Sequence, residues 1–321
     1  MGSSEIRPFK ETGEHSYHRR AFTHDYCAPF IYHIIIKKAP VCEPFGTVKG
    51  DARIAPGNPG CATISESQLG QVIAKTLLHL PYEFPIIRLF QFCVMPDHIH
   101  LLFQIQYRSD KHLDFYIDSL KKKIADRYSD LKNSTVQENE IFEPGYCDKP
   151  LYDNRSLDNL YRYIRENPHR LAMRRQFPQF FQRIRKLRIG EKEYEAYGNF
   201  FLFRNPDKEA VKISRHFSPE EKLLKKTRWL ASAAKGTVLV SPFISKEEKA
   251  IRAEAEALNA KIILITHETF PDLYKPSAHD FALCSAGRLL IISLALPAGT
   301  DLSRTQCLRM NALAEHLSTT P

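Results

Sequence analysis

The stretch QFCVMPDHIHLLF, residues 91–103, sets the reading of the chain. Its first half falls within Ile86 to Met95 (IIRLFQFCVM) and its second within His98 to Gln106 (HIHLLFQIQ). Both runs are rich in β-branched and aromatic residues, and Pro96-Asp97 between them is a turn signal. The spacing predicts two strands folded back as a hairpin. Successive side chains on a strand alternate faces, so residues two apart point the same way. His98 and His100 therefore leave one face side by side, while Ile99 leaves the other. Two neutral imidazoles so placed can clamp one divalent ion and still leave coordination positions open, which suits catalysis at a phosphate oxygen. An isolated His-x-His is equally a surface pair or a satisfied half-buried pair, so its meaning depends on the residues around it.

Outward from the hairpin, Phe30 to Lys37 (FIYHIIIK) reads as a further strand, and residues 38–64, rich in Pro and Gly, as a long loop. Ser65 to Gln68 offers capping residues. Leu69, Val72, Ile73, Thr76 and Leu77 then recur at helical spacing, predicting a helix to about His79. Leu113 to Leu131 reads as a helix carrying Lys121, Lys122 and Lys123, and Leu157 to Arg175 as another. Residues 1–28 form a polar arm with a basic cluster at His18, Arg19 and Arg20. Residues 179–228 are heavily charged and read as helical and irregular. From Gly236 the pattern becomes strand and helix in alternation: strands at Thr237–Val240, Lys261–Thr266 and Arg288–Leu294, helices at Lys246–Leu258 and Arg304–His316. That alternation predicts a parallel α/β domain. The expected organisation is two domains, 1–200 and 201–321.

The stretch LDNLYRYIRENPHR (157–170) places Tyr163 and Asn167 four residues apart, on one face of a helix. A phenol with a pKa of about 10 needs help to act as a nucleophile, and a nearby cation supplies it. The Asn167 amide oxygen can reach the same ion. Tyr161 points roughly 200° round the helix from Tyr163, so both cannot serve. The same residues also fit a core tyrosine followed by an Asn-Pro helix end.

Between Arg155 and Arg188 there are ten basic residues, opposed only by Asp158 and Glu166, with Phe177, Phe180 and Phe181 interleaved. Arginines can neutralise phosphates, and aromatic faces can stack on unpaired bases; core packing is the favoured reading of Phe177 and Phe180. The candidate DNA contacts are Lys121, Lys122, Lys123, Arg162, Arg165, Arg170, Arg174 and Arg175. A net charge of +9 over 321 residues favours a polyanionic partner, nucleic acid before membrane. The seven cysteines are scattered without CxxC spacing, which argues against a disulfide framework and a cysteine zinc site. No secretory signal is visible, and no apolar run approaches the roughly 20 residues of a membrane helix. A soluble cytoplasmic protein is expected.

Residues 91–103 resemble the signature strand of the single-tyrosine HUH transposases, especially the REP-associated tyrosine transposases. Tyr163 to Arg170 (YIRENPHR) resembles that family's tyrosine helix, Tyr-Ile-x-x-Asn-Pro. The pieces also stand in the family's order, and the resemblance covers roughly residues 20–180. Asp97 stands where the family usually has Asn. The resemblance implies an α+β fold: a ferredoxin-like antiparallel sheet with flanking helices. It implies Mg²⁺ or Mn²⁺, single-stranded or hairpin DNA as partner, and cleavage through a 5′-phosphotyrosine intermediate. His98 and His100 would then be metal ligands, Asn167 a third ligand, and Tyr163 the nucleophile. Relatives of this type occur as monomers and as homodimers, and either suits this chain. SPFISKEE (241–248) and CSAGRLLIIS (284–293) give the C-terminal part a faint resemblance to the smaller α/β Rossmann-like domain of SMF-type DNA-processing proteins, without the Gly-rich anion loop. The competing functions are a non-catalytic or domesticated DNA-binding regulator that retains the HUH fold, and a metal hydrolase working through bound water.

Overall fold

The computed structural model describes residues 24–153, 157–272, 274–297 and 299–319. The basic cluster at His18, Arg19 and Arg20, and Arg155, lie outside the described residues. The chain divides into two units, 1–172 and 173–321. The change of unit therefore comes earlier than the boundary near residue 200 expected from composition.

The first unit contains β1 (Phe30–Lys37), β2 (Gly46–Lys49), β3 (Thr63–Glu66), α1 (Gln68–Glu83), β4 (Ile87–Val94), β5 (His98–Ile105), α2 (Leu113–Lys132), α3 (Glu138–Ile141), β6 (Cys147–Pro150) and α4 (Leu157–Arg165). α5 (Asn167–Gln176) runs across the division. Four strands form a sheet in the order β4-β5-β1-β6, every neighbouring pair antiparallel. The hairpin expected at 86–106 is β4 and β5, and β1 holds the centre with β5. The loop expected at 38–64 is mostly irregular, but Gly46–Lys49 pairs with Thr63–Glu66 as a short ribbon.

The sheet's two faces differ as the period-two pattern requires. Tyr32, Ile34 and Ile36 of β1 and Ile99, Leu101, Phe103 and Ile105 of β5 are fully buried on one side. They pack with Leu69, Ile73, Leu77 and Leu80 of α1 and Leu113, Ile117, Leu120 and Ile124 of α2. Each such side chain contributes roughly 1.5–3 kcal/mol of burial. The opposite face carries His98 and His100, and α4 lies against β4. Helix α1 starts where Ser67 accepts from the Gly70 N–H at 3.1 Å. Gly70 allows the Phe45 carbonyl to come close, since a Cβ there would sit 2.0 Å from that oxygen. Phe45 in turn donates its N–H to the Pro96 carbonyl at 2.9 Å, tying the loop to the turn that precedes His98.

The single helix expected over 157–175 is two. A turn at Glu166 separates α4 from α5, because Pro168 lacks the N–H that would bond the Ile164 carbonyl. The bonds Glu166 N–H to Arg162 (2.9 Å) and Arg170 N–H to Glu166 (3.0 Å) keep the two segments in helical phase across the kink.

The second unit contains β7 (Gln182–Ile189), β8 (Lys192–Gly198), β9 (Lys208–Ala210), α6 (Pro219–Ala234), β10 (Val238–Ser241), α7 (Lys246–Ala257), β11 (Lys261–Glu268), α8 (Ala278–Ser285), β12 (Leu289–Leu296) and α9 (Arg304–Thr319). Six strands run in the order β7-β8-β12-β11-β10-β9. β9 to β12 are mutually parallel, and β8 pairs antiparallel with both β12 and β7. Trp229, Ile251 and Cys284 place α6, α7 and α8 in one core; Met310, Leu313 and Leu317 place α9 in the other. Strand–helix alternation from residue 236 is present as expected. Within the charged stretch expected to be helical and irregular, residues 182–198 instead form the β7–β8 hairpin, while α6 from Pro219 is helical as expected. The hairpin's period-two pattern, with Leu187 and Ile189 buried, was masked by the density of arginine and lysine.

Candidate active site

His98 and His100 sit on β5 with their rings edge to face and their Nε2 atoms 2.9 Å apart. His100 is buried, at 1 % exposure, and His98 is partly open. Each ring is held from behind. Asp97 Oδ1 lies 2.7 Å from His98 Nδ1, and His33 Nε2 on β1 lies 2.9 Å from His100 Nδ1. Cys93 is the cross-strand partner of His100 and shares its face. Burial, ahead of the Glu66 charge, pushes its pKa up to about 12, so it remains a thiol at neutral pH.

The kinked helix pair brings Tyr163 to this face. The Tyr163 ring packs edge-on to His100, with centroids 5.8 Å apart and planes at 79°. Arg170, buried at 4 % exposure, lays its guanidinium 5.1 Å from the centroid of the same ring. Tyr161 points out to solvent. Asn167, one helical turn from Tyr163, is more than nine-tenths buried, and its side-chain nitrogen has no hydrogen-bond partner. His169 Nδ1 is buried and equally unpartnered; burial lowers its pKa, opposed by Glu166. A buried polar atom without a partner costs about 1–3 kcal/mol, so the Asn167 amide, on the Tyr163 side of the helix, marks a place built to meet another group.

These residues fit a divalent ion. Metal–nitrogen bonds of about 2.0–2.1 Å at near-right angles put neighbouring nitrogens about 3 Å apart. The Nε2 separation of 2.9 Å matches that spacing. Among the described residues no group of three or more His, Cys, Asp or Glu could hold an ion. Further ligands would have to be of other kinds: the Asn167 amide, water or a phosphate oxygen.

The expected DNA contacts divide. Lys122, Arg162, Arg165 and Arg175 are exposed. Lys123 is half-buried and paired with Glu83. Lys121 corrects the expectation: it is 1 % exposed, donates to the Glu143 and Gly145 carbonyls at 3.2 and 2.8 Å, and faces Glu138 at 3.7 Å. Burial lowers its pKa, opposed by Glu138. It is a core strut, out of reach of a phosphate. Lys121→Met should therefore cost about 1–3 kcal/mol of stability by leaving those carbonyls unpaired. Lys122→Met should cost less than about 0.5 kcal/mol and show its effect in single-stranded DNA affinity instead. Urea unfolding and a binding titration on both variants check the pair.

Arg170 is buried, with its guanidinium against the Tyr163 ring. Arg174 packs over Phe281 at 5.6 Å. Arg183 donates to the Phe270, Pro271 and Asp272 carbonyls, and Arg185 pairs with Asp272. Phe177 stacks on Phe180, and Phe181 on Phe281, so these rings pack within the protein as favoured for Phe177 and Phe180. In the second unit, the N-terminus of α7 is filled by the chain itself. Glu248 accepts from the N–H groups of Ile213, Ile244 and Ser245 at 3.0–3.1 Å, where a dinucleotide-binding fold would offer them to a phosphate. Among the described residues no helix is long and apolar enough to cross a membrane.

His33 was not singled out in the sequence. No local motif marks it, and only the register of β1 on β5 places it beside His100. Its strand run and its parity were readable, but its neighbour was not.

Two solved structures are similar to part of the chain. One is a REP-associated tyrosine transposase bound to a REP hairpin, with 12% identity over 46% of this chain and 72% of that one, at a TM-score of 0.30. The other is a candidate transposase from Deinococcus radiodurans R1, with 17% identity over 47% of this chain and 97% of that one, at a TM-score of 0.28. No curated protein sequence matches the chain. The family model of IS200-like transposases matches residues 67–167, from the N-cap of α1 to Asn167. Residues 67–167, which carry His98, His100, Tyr163 and Asn167, are thus the part of the chain that is similar to the IS200-like transposases.

Proposed function

We propose that the first unit is a metal-dependent, single-tyrosine nuclease and strand transferase acting on single-stranded DNA that contains hairpins. The observation that carries the reading is the meeting of the Tyr163 ring with His100, 5.8 Å between centroids, beside paired Nε2 atoms. On this reading the four-stranded sheet is the ferredoxin-like core of the HUH class, and the second unit is a Rossmann-like accessory domain. Tyr163 and His100 meet within one chain, so a second copy is not required to complete the site.

His98 and His100 would hold the ion through Nε2, with Asn167 as third ligand. Imidazole nitrogens favour transition-metal ions over Mg²⁺, so Mn²⁺ is the better probe of the two. When bound, the ion draws charge from the scissile phosphate and favours the phenolate. Tyr163 gives up its phenolic proton to solvent, and its Oη forms a bond to phosphorus. The P–O3′ bond breaks, and the 3′-oxygen takes up a proton. The chain is left on the 5′-phosphate as a phosphotyrosine ester, which a 3′-hydroxyl can attack to rejoin strands. Arg170 lays its guanidinium over the Tyr163 ring, and the exposed Lys122, Arg162, Arg165 and Arg175 offer charge to the DNA backbone.

The test is incubation with hairpin oligonucleotides and Mn²⁺, followed by a denaturing gel. A protein band shifted by covalent DNA, and lost with chelator, is expected. Hairpin binding without any nick in Mn²⁺ would instead support a DNA-binding regulator that has kept the family's fold.

A further inference from the structure

His33 carries an inference that rests on the metal-site reading above. The side chain is 7 % exposed, its ring stacks on His100 at 5.1 Å with planes 22° apart, and its Nε2 faces His100 Nδ1 at 2.9 Å. A neutral imidazole offers Nε2 to a metal only when its proton is on Nδ1, and which nitrogen holds the proton is set by the partner of the other. For His98 that partner is the Asp97 carboxylate, which can only accept. For His100 it is another imidazole, which can accept or donate.

The pair therefore has two self-consistent arrangements. In one, His100 Nδ1–H donates to His33 Nε2, His33 keeps its proton on Nδ1, and His100 Nε2 presents its lone pair on the His98 side. In the other, His33 Nε2–H donates to His100 Nδ1, and His100 Nε2–H points at His98 Nε2, 2.9 Å away. The second arrangement closes the gap between the two ligands with a hydrogen bond. Both rings are neutral in both arrangements; each moves one proton from one nitrogen to the other, and none is gained or lost. We propose that His33 is the positioning residue that selects the His100 tautomer and thereby sets how tightly the His98–His100 pair takes a metal ion.

The test uses His33→Gln and His33→Leu in the full chain. A glutamine amide oxygen can reach the place of the His33 Nε2 and accept from His100 Nδ1–H; leucine fills the space and accepts nothing. Mn²⁺ binding is followed by the electron paramagnetic resonance of free Mn²⁺. The His100 tautomer is read without metal from long-range proton–nitrogen spectra of histidine-labelled protein, and melting temperatures show whether each variant folds. Loss of an outer partner of a ligating histidine costs about 10–100-fold in metal affinity. His33→Leu should lose that much while still melting cooperatively, and His33→Gln should stay near wild type. His100 should hold its proton on Nδ1 in the glutamine variant and on Nε2 in the leucine variant. The same tautomer in both variants, or a folded His33→Leu that binds Mn²⁺ as tightly as wild type, overturns the inference and leaves the metal site standing. A wild-type protein that binds no Mn²⁺ would overturn the metal-site reading and the inference with it, whatever tautomers the two variants show.

Discussion

Tyr163→Phe should abolish the covalent protein–DNA product and lower strand cleavage by about 10³-fold or more, the scale of removing a nucleophile that works as part of a unit. The substitution deletes one oxygen. The ring keeps its edge contact with His100 and its place under Arg170, so folding should be intact and stability should change by less than about 1 kcal/mol. DNA affinity should also hold, because the exposed basic residues are untouched. A metal hydrolase using bound water makes the opposite forecast: Tyr163→Phe would cleave at nearly the wild-type rate. Single-turnover cleavage of a labelled hairpin, with an adduct gel run alongside, separates the two.

The second large effect is expected at His100. His100→Ala removes a buried ring with a partner on each nitrogen, so Mn²⁺ affinity should fall by more than about 100-fold, beyond the loss expected for an outer partner alone. Metal-dependent cleavage should fall with it. The change also leaves His33 Nε2 without its His100 contact, at a cost of about 1–3 kcal/mol. His98→Ala, at a more open ligand, should lose metal with a smaller stability cost. A His100→Ala protein that folds, binds Mn²⁺ normally and still cleaves would remove the imidazole pair from the mechanism.

The core of the first unit was legible because its signals are local. Alternation along β4 and β5, the Pro96-Asp97 turn and the three-to-four spacing of α1 and α2 each act within about ten residues. The shared face of His98 and His100 followed from strand parity alone. The placements that were not legible depend on helical phase or on register. Lys121 was grouped with Lys122 and Lys123, yet it lies four residues after Ile117 and three before Ile124, on the buried stripe of α2. Arg170 lies seven residues after Tyr163, two turns along the same side, which sets it against the ring rather than in solvent. His33 needed the pairing of β1 with β5, a contact 67 residues apart in sequence. The β7–β8 hairpin was hidden for another reason: charged side chains on an edge strand and its neighbour dilute the apolar alternation that identifies a strand.

Where the DNA becomes attached is the most direct test of the account. Wild-type protein incubated with a hairpin oligonucleotide and Mn²⁺, then digested and mapped by mass spectrometry, should carry the nucleotide on the peptide containing Tyr163, joined through a 5′-phosphate. An adduct on Tyr161 or any other residue, or nicked DNA whose 5′-phosphate is free from the start, would contradict it.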